Sequence, residues 1–417
     1  MDKIHINGGK KLRGQVAASG AKNAALPLLF SALLAEGRHV FHNIPKLKDI
    51  ESTSQLLVQL GCEVKIDNKT LIVDVKPSAI IEAPYDLVRK MRASILCLGP
   101  LLGLRKKARV SLPGGCAIGT RPIDIHLEGF KALGANVNVE AGYVNAECEK
   151  LEGTSILFDS PTVGGTENIM MAATLAEGRT TIENAAKEPE IVDLAEYLIK
   201  MGAKIKGAGT SIINIDGVNK LKPAEHTVIP DRIEAGTLLI AGAITGGEVT
   251  VSNCKPEHID ALIAKLKESG FKISEGKDTV TIHEASSWKG VDLTTAPHPA
   301  FPTDLQAQFM ALMTVAEGVS VITETVFENR FMHVQELMRL GANITPKTRV
   351  AIVRGKKNSL VGAPVMATDL RASASLVIAG LAAKGVTTVA RIYHLDRGYE
   401  ELEKKLQSLG AETKRVL

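Results

Sequence analysis

No stretch of this 417-residue chain is both long and apolar enough to span a bilayer; the run over residues 24–35 is short, and Pro27 and Ser31 interrupt it. The opening, MDKIHINGGKK, lacks the apolar core of a secretion signal. A strong charge imbalance is missing too: 50 basic against 46 acidic residues leave +4, too little over this length to suggest nucleic acid as a partner. Cysteines are few and odd in number (Cys62, Cys97, Cys116, Cys148 and Cys254) and show no metal-ligand spacing, which argues against a disulfide framework and a zinc site alike. The ten histidines form no HxH or HxxxH pair. These absences point to a reduced, cytoplasmic protein that needs no membrane, nucleic acid or metal.

What is present is an ordinary globular composition, 45% hydrophobic and 23% charged, in a chain too long for one core, so two domains are expected. The strongest internal signal is a sixfold repeat. A helix stop of Leu-Gly-Ala type recurs at Gly61, Gly134, Gly202, Gly270, Gly341 and Gly410, with successive spacings of 73, 68, 68, 71 and 69 residues. Glycine just past a helix and before an alternating segment ends the helix and leads into a strand. A second mark, such as AEGR or AEGV, sits earlier in five copies, at Gly37, Gly178, Gly247, Gly318 and Gly385, where an apolar helical stretch gives way to a β-branched strand. In the second copy Lys107-Ala108-Arg109-Val110 takes that place. Each copy reads strand, helix, strand, helix, strand, strand. Six copies make an α/β (α+β) chain of two domains with three βαβαββ repeats each. The last copy ends one strand short at Leu417, and the early IHINGG segment is the candidate to supply it, which would join the N-terminus to the C-terminal repeats.

Counting back fourteen or fifteen residues from the second mark aligns six helix starts: Lys22, Arg92, Gly164, Arg232, Asp304 and Arg371. Helix N-termini attract anions. Asp304 and Asp369 fit there as N-caps, whereas Lys22, Arg92, Arg232 and Arg371 oppose the helix dipole. Four cations at equivalent unfavourable positions point to a multiply anionic ligand. The segment LPGGCAIGTRP, residues 112–122, stands apart. Gly114 and Gly115 permit an unusual backbone path before Cys116, and Arg121, five residues on, favours its thiolate. This connection is a few residues longer than its counterparts, as an added functional loop would be. Arg397, in YHLDRGYE, is a further cation after the last strand of its copy.

SGAKNAALP, MRASI, LPGGCAIGTRP, PTVGGTEN, IPDRIEAGT, FPTDLQAQ and TDLRASASLVIAGL, in this order along the whole chain, resemble the UDP-N-acetylglucosamine enolpyruvyl transferase family. The resemblance implies a two-domain inside-out α/β barrel with helices central, the chain crossing between domains near residues 20–22 and 229–232. The domains are then 1–21 plus 230–417 and 22–229, the latter carrying Cys116. It also implies two substrates, phosphoenolpyruvate and UDP-N-acetylglucosamine, in a cleft that closes when the sugar nucleotide enters. No cofactor is implied. The reaction is the first committed step of peptidoglycan synthesis: the sugar 3-hydroxyl adds to C2 of phosphoenolpyruvate, a proton goes to C3, and phosphate leaves the tetrahedral intermediate.

The same resemblance assigns roles. Lys22, Arg121, Arg371 and Arg397 match the phosphate and carboxylate of phosphoenolpyruvate; Asp304 is the base for the 3-hydroxyl; Cys116 is the proton donor to C3. Cys116 also forms a covalent phosphoenolpyruvate adduct in the family and is the residue alkylated by fosfomycin. Asn23, Arg92 and the segment Arg121, Pro122, Ile123, Asp124 and Ile125 fall where the family holds the nucleotide. Thr162, Val163 and Gly164 face the diphosphate with backbone amides, and Val326 offers a backbone contact to the sugar. His126 and His394 lie near these residues in sequence, with a hydrogen-bonding role expected.

Two other readings compete. The sister enolpyruvyl transferase acting on shikimate 3-phosphate shares fold and chemistry but lacks the cysteine loop. A catalytically silent paralogue that binds sugar nucleotide would have little reason to keep Lys22, Cys116, Asp304 and Arg397 together. The sequence predicts that Cys116→Asp keeps turnover, because a carboxylic acid can also donate the proton, while fosfomycin inactivation disappears. Time-dependent inactivation that persists in this variant would mean that another nucleophile reacts.

Overall fold

The computed structural model describes residues 2–113 and 123–416. Among them the chain forms two compact units, one of residues up to Ser19 together with those from Pro230 onward, the other of residues between Gly20 and Ile229. Each has its own hydrophobic core.

The repeat dictates the architecture. Six four-stranded sheets are formed among the described residues. In a typical copy the strand Leu293–Thr294 runs parallel to Gly318–Thr323, and the hairpin Asn343–Pro346 with Val350–Gly355 completes the sheet antiparallel to it. The first two strands are joined by a helix, and these joining helices lie in the core. Residues 233–244 of the helix Arg232–Ile244 are all buried, as are all those of Gln306–Met313. Leu370–Ala382, Val163–Ala173 and Lys22–Ser31 are nearly so. Past their polar starts their sequences are apolar on every side, and such a helix is stable only when enclosed. The second helix of each copy is amphipathic instead. Pro189–Lys200 buries Ile191, Leu194, Tyr197 and Leu198 and turns Glu196 and Lys200 outward, with proline in its first turn, where no N–H is needed.

The repeat glycines are conformational. Gly61, Gly134, Gly202, Gly270, Gly341 and Gly410 have φ of 94°, 89°, 108°, 104°, 95° and 95°, a left-handed region that side chains with a Cβ enter at a cost. Gly37, Gly178, Gly318 and Gly385 are also left-handed. In the fourth copy that conformation falls on Gly246 (φ 61°), one residue before the expected Gly247.

Two copies take their opening strand from far along the chain. Arg13–Ala17 pairs parallel with Glu248–Ser252, and Glu225–Thr227 pairs parallel with Gly37–His42. At the ends of these borrowed strands, Asn253 and Asn43, both left-handed, donate side-chain amides to the carbonyls of Ala18 (2.7 Å) and Val228 (2.9 Å). The chain then crosses between units. Asp231 N–H donates to Ser19 C=O at 2.8 Å in one unit, and Ala21 N–H to Ile229 C=O at 2.7 Å in the other. The final sheet is completed by Lys3–Asn7, which lies antiparallel between Val386–Ala390 and Glu412–Val416 with Ile4 opposite Val389 and Arg415. No described helix is long and apolar enough to cross a membrane.

Ile4 and Ile6 are fully buried, and large-to-small changes at such sites cost about 2–5 kcal/mol each. Deleting residues 1–7 removes both side chains and two strand ladders. It should therefore lower the melting temperature of the unit containing Pro230 onward by many degrees; an unchanged thermal transition would contradict this pairing.

Candidate active site

The aligned helix starts are where the chemistry-bearing side chains collect. Lys22 opens the helix Lys22–Ser31, whose N-cap, Ala21, makes no side-chain cap bond. Its Nζ lies 3.1 Å from Oδ2 of Asp49, a buried carboxylate in the first turn of Lys48–Gln59. Half of the puzzle of a cation at a helix start is thus solved within the protein: the neighbouring helix brings an anion to it. Asn23 follows, half-buried. Arg92 opens the 3-10 turn Arg92–Cys97, also half-buried.

Thr162 caps Val163–Ala173, its hydroxyl accepting from Gly165 N–H at 3.3 Å. A Cβ on Gly164 would come within 3.3 Å of the His126 ring, so glycine lets that imidazole approach the helix start. Asn168 locks the arrangement. Its amide donates to His126 Nδ1 (3.0 Å) and to Ile95 C=O (3.1 Å), and its oxygen accepts from Gly99 N–H (2.7 Å). Burial, helped by the Arg92 charge, lowers the His126 pKa to about 4, so the ring is a neutral acceptor at pH 7. His126 belongs to the helix Asp124–Ala132, where Ile123 is the N-cap, Asp124 is exposed and Ile125 half-buried. The three preceding assignments, Cys116, Arg121 and Pro122, lie outside the described residues.

In the other unit the focus is Asp304. The expectation that it caps a helix fails. The N-cap of the turn Thr303–Leu305 is Pro302, and that of Gln306–Met313 is Leu305. The Asp304 carboxylate is instead held between two guanidiniums, with Oδ1 at 2.7 Å from Arg330 Nη2 and Oδ2 at 3.0 Å from Arg371 Nη2. The two arginine side chains are 4% and 6% exposed and Asp304 is 27% exposed, so the acid is the member that can be approached from outside. Burial alone would disfavour the Arg371 charge, but its acidic neighbours, Asp304 first, outweigh it and raise its pKa. Asp369 does act as an N-cap, accepting from Arg371 N–H (2.8 Å) and Ala372 N–H (3.1 Å). Asp231 does the same for Ile233 and Glu234, leaving Arg232 at the first helical position, half-buried.

Val326 follows the strand Gly318–Thr323, and its N–H is already engaged, donating to Glu324 Oε1 at 2.8 Å. Glu324 is 1% exposed and gathers Thr295, Thr303, Val326 and Phe327 around its two oxygens, tying the Val326 turn to the segment before Asp304. Arg397 ends the turn Ile392–Arg397, half-buried; after burial, its charge is the next cause of the lowered pKa of His394.

Arg330 and Glu324 escaped the sequence reading, which aligned only the first helix of each copy. The register of the stretch between the second mark and the second helix's first turn carried the signal for Arg330. Twelve residues past the second mark stand Asp49 (37+12), Glu190 (178+12), Arg330 (318+12) and Arg397 (385+12). In the first and fifth copies this position supplies the charge opposite to its own central helix start, as Lys22 with Asp49 and Asp304 with Arg330. Among the described cysteines none is activated: burial pushes the thiol pKa to about 11 at Cys62, about 12 at Cys97 and about 11 at Cys254, and upward at Cys148. No described group of histidines, cysteines and carboxylates could hold a metal.

Residues 6–406 match the model of the EPSP synthase (3-phosphoshikimate 1-carboxyvinyltransferase) family. The chain is 68% identical over 411 residues, 99% of both chains, to a UDP-N-acetylglucosamine 1-carboxyvinyltransferase of Bdellovibrio bacteriovorus. It is 57% identical over 418 residues, covering 100% of this chain and 99% of the other, to a protein of the same name from Myxococcus xanthus. Among solved structures, the enolpyruvyl transferase NikO of Streptomyces tendae superposes with a TM-score of 0.89 at 26% identity, over 100% of this chain and 99% of that one. EPSP synthase of Acinetobacter baumannii shares the fold with a TM-score of 0.77 at 19% identity, over 100% of each chain. The repeat count, the enclosed helices and these likenesses agree, and the chain belongs to the EPSP synthase family, among its UDP-N-acetylglucosamine 1-carboxyvinyltransferases.

Proposed function

We propose that this chain transfers the enolpyruvyl group of phosphoenolpyruvate to the 3-hydroxyl of UDP-N-acetylglucosamine and releases phosphate, in the cytoplasm, as the committing step of peptidoglycan synthesis. The observation that carries this reading is the full-length likeness to carboxyvinyltransferases of that acceptor.

Asp304 takes the proton of the 3-hydroxyl as its oxygen bonds to C2. Arg330 and Arg371 each hold one oxygen of the Asp304 carboxylate and so set its orientation toward the hydroxyl. Cys116 gives its proton to C3, completing the addition; loss of a proton from C3 then expels phosphate and restores the double bond. Each positioned acid or base of this kind contributes roughly 10²–10⁴-fold. Lys22, Arg121, Arg371 and Arg397 bind the phosphate and carboxylate, and fixed cations stabilise the charge of the tetrahedral intermediate at least as strongly. A covalent adduct of phosphoenolpyruvate on Cys116 belongs to the same reading.

The sugar nucleotide is held by Asn23, Arg92, the segment Arg121 to Ile125 and the amides of Thr162, Val163 and Gly164. A helix start with free N–H groups supports the last of these as the diphosphate seat. The Val326 backbone and Asp304 meet the sugar.

Phosphate release from phosphoenolpyruvate, measured with each acceptor in turn, tests the function. Release with UDP-N-acetylglucosamine and none with shikimate 3-phosphate is expected. Release with shikimate 3-phosphate, or with neither, would overturn the assignment.

A further inference from the structure

We propose that Tyr399 is a positioning residue for this reaction, its hydroxyl fixing the Arg371 guanidinium on Asp304. The proposal rests on the roles given to Asp304 and Arg371 above. Tyr399 is 1% exposed and lies just past the turn Ile392–Arg397. Arg371 Nη1 donates to its Oη at 3.1 Å and Gln308 Nε2 at 3.0 Å, while Thr237 Oγ1 lies 3.0 Å away. A phenol oxygen that accepts from two donors has one hydrogen left to give, and Thr237 is its acceptor. The Thr237 hydroxyl in turn donates to Ile233 C=O at 2.7 Å. With the Thr237 hydrogen committed there, the chain of bonds runs from Arg371 into Tyr399, on to Thr237, and into the backbone of the helix Arg232–Ile244, while Gln308 Nε2 lies 3.0 Å from Tyr399 Oη and 3.2 Å from Thr237 Oγ1. Burial raises the phenol pKa against the opposing pull of the Arg371 charge, so the hydroxyl stays neutral and keeps its proton.

Gln308 ties the second partner to the same point. Its Nε2 also lies 2.9 Å from the backbone carbonyl of Asp304, which requires a nitrogen there and so sets the orientation of the amide. The opposite amide oxygen is left buried with no partner among the described residues, an arrangement that burial by itself disfavours. One cluster thus holds Arg371 through its Nη1 and Asp304 through its main chain. Because a guanidinium is planar, fixing Nη1 on Tyr399 also fixes the direction of Nη2, the atom 3.0 Å from Asp304 Oδ2. Without the hydroxyl, the base keeps its charge partner but loses the constraint on where that partner points.

Tyr399→Phe keeps the ring and removes only the hydroxyl. Steady-state kinetics of the full-length variant should show kcat lowered about tenfold, since small misplacements at a reacting centre are costly. KM for UDP-N-acetylglucosamine should stay within about twofold, the split that marks a loss confined to the reacting arrangement. In an Arg371→Lys background, which retains the charge, the same change should alter kcat by less than about twofold, because residues acting through one another are not additive. Thr237→Val, which removes the acceptor of the phenol proton, should lower kcat in the same direction without moving that KM. A wild-type kcat in Tyr399→Phe or Thr237→Val with only the melting temperature reduced overturns the proposal, as does a full tenfold loss in the Arg371→Lys background. Either result leaves the function standing; failure of the unmodified enzyme to turn over UDP-N-acetylglucosamine is what would remove the function itself.

Discussion

Two arginines taken out of water around one half-buried carboxylate are the arrangement on which the active site depends. Arg330 and Arg371 are almost fully enclosed, and an enclosed cation is costly unless it meets an anion with good geometry. Asp304 provides that anion with one oxygen for each, and it remains the exposed member of the three. The same contacts that offset the burial of the cations therefore orient the carboxylate proposed as the base, and leave both it and Arg371 little freedom to swing away.

The repeat is what makes such an arrangement possible. Three apolar helices packed together in each unit place their starts side by side, and in four copies the segment leading into or opening the second helix adds a charged residue, Asp49, Glu190, Arg330 or Arg397. Lys22 with Asp49 in the first copy and Asp304 with Arg330 in the fifth are one design with the charges exchanged. Glycines in the left-handed region end the outer helices abruptly in all six copies, which keeps the connections short and the starts in register. Lys3–Asn7 then closes the last sheet, so that the unit carrying Asp304 depends on both ends of the chain.

Much of this was legible without coordinates. The spacing of Gly61 through Gly410 gives the copies, and the apolar character of segments such as 306–313 marks the helices that must be enclosed. The aligned Lys22, Asp304 and Arg371 mark the helix starts that matter. Three things were not legible, each for a physical reason. Asp304 looks like a cap because a carboxylate at a helix start normally is one, and only the approach of Arg330 and Arg371 turns it aside. Arg330 sits in FENRFMH, where nothing local distinguishes it from a surface arginine; its role comes from its register in the repeat. The Tyr399, Gln308 and Thr237 cluster joins residues 162 and 91 positions apart; Thr237 and Gln308 share a register, each ten residues before its mark at Gly247 or Gly318, but nothing in the sequence assigns Tyr399 to them.

The most direct test of Asp304 as the base is the paired measurement of kcat and UDP-N-acetylglucosamine affinity in Asp304→Asn. The amide preserves shape and can still accept hydrogen bonds, but it cannot take up the hydroxyl proton. The expected result is a kcat reduced by at least roughly 10²-fold, in line with loss of a positioned base, with affinity for the sugar nucleotide changed by no more than a few-fold. Turnover close to that of the unmodified enzyme would contradict the role assigned to Asp304 and leave the two arginines as binding groups alone.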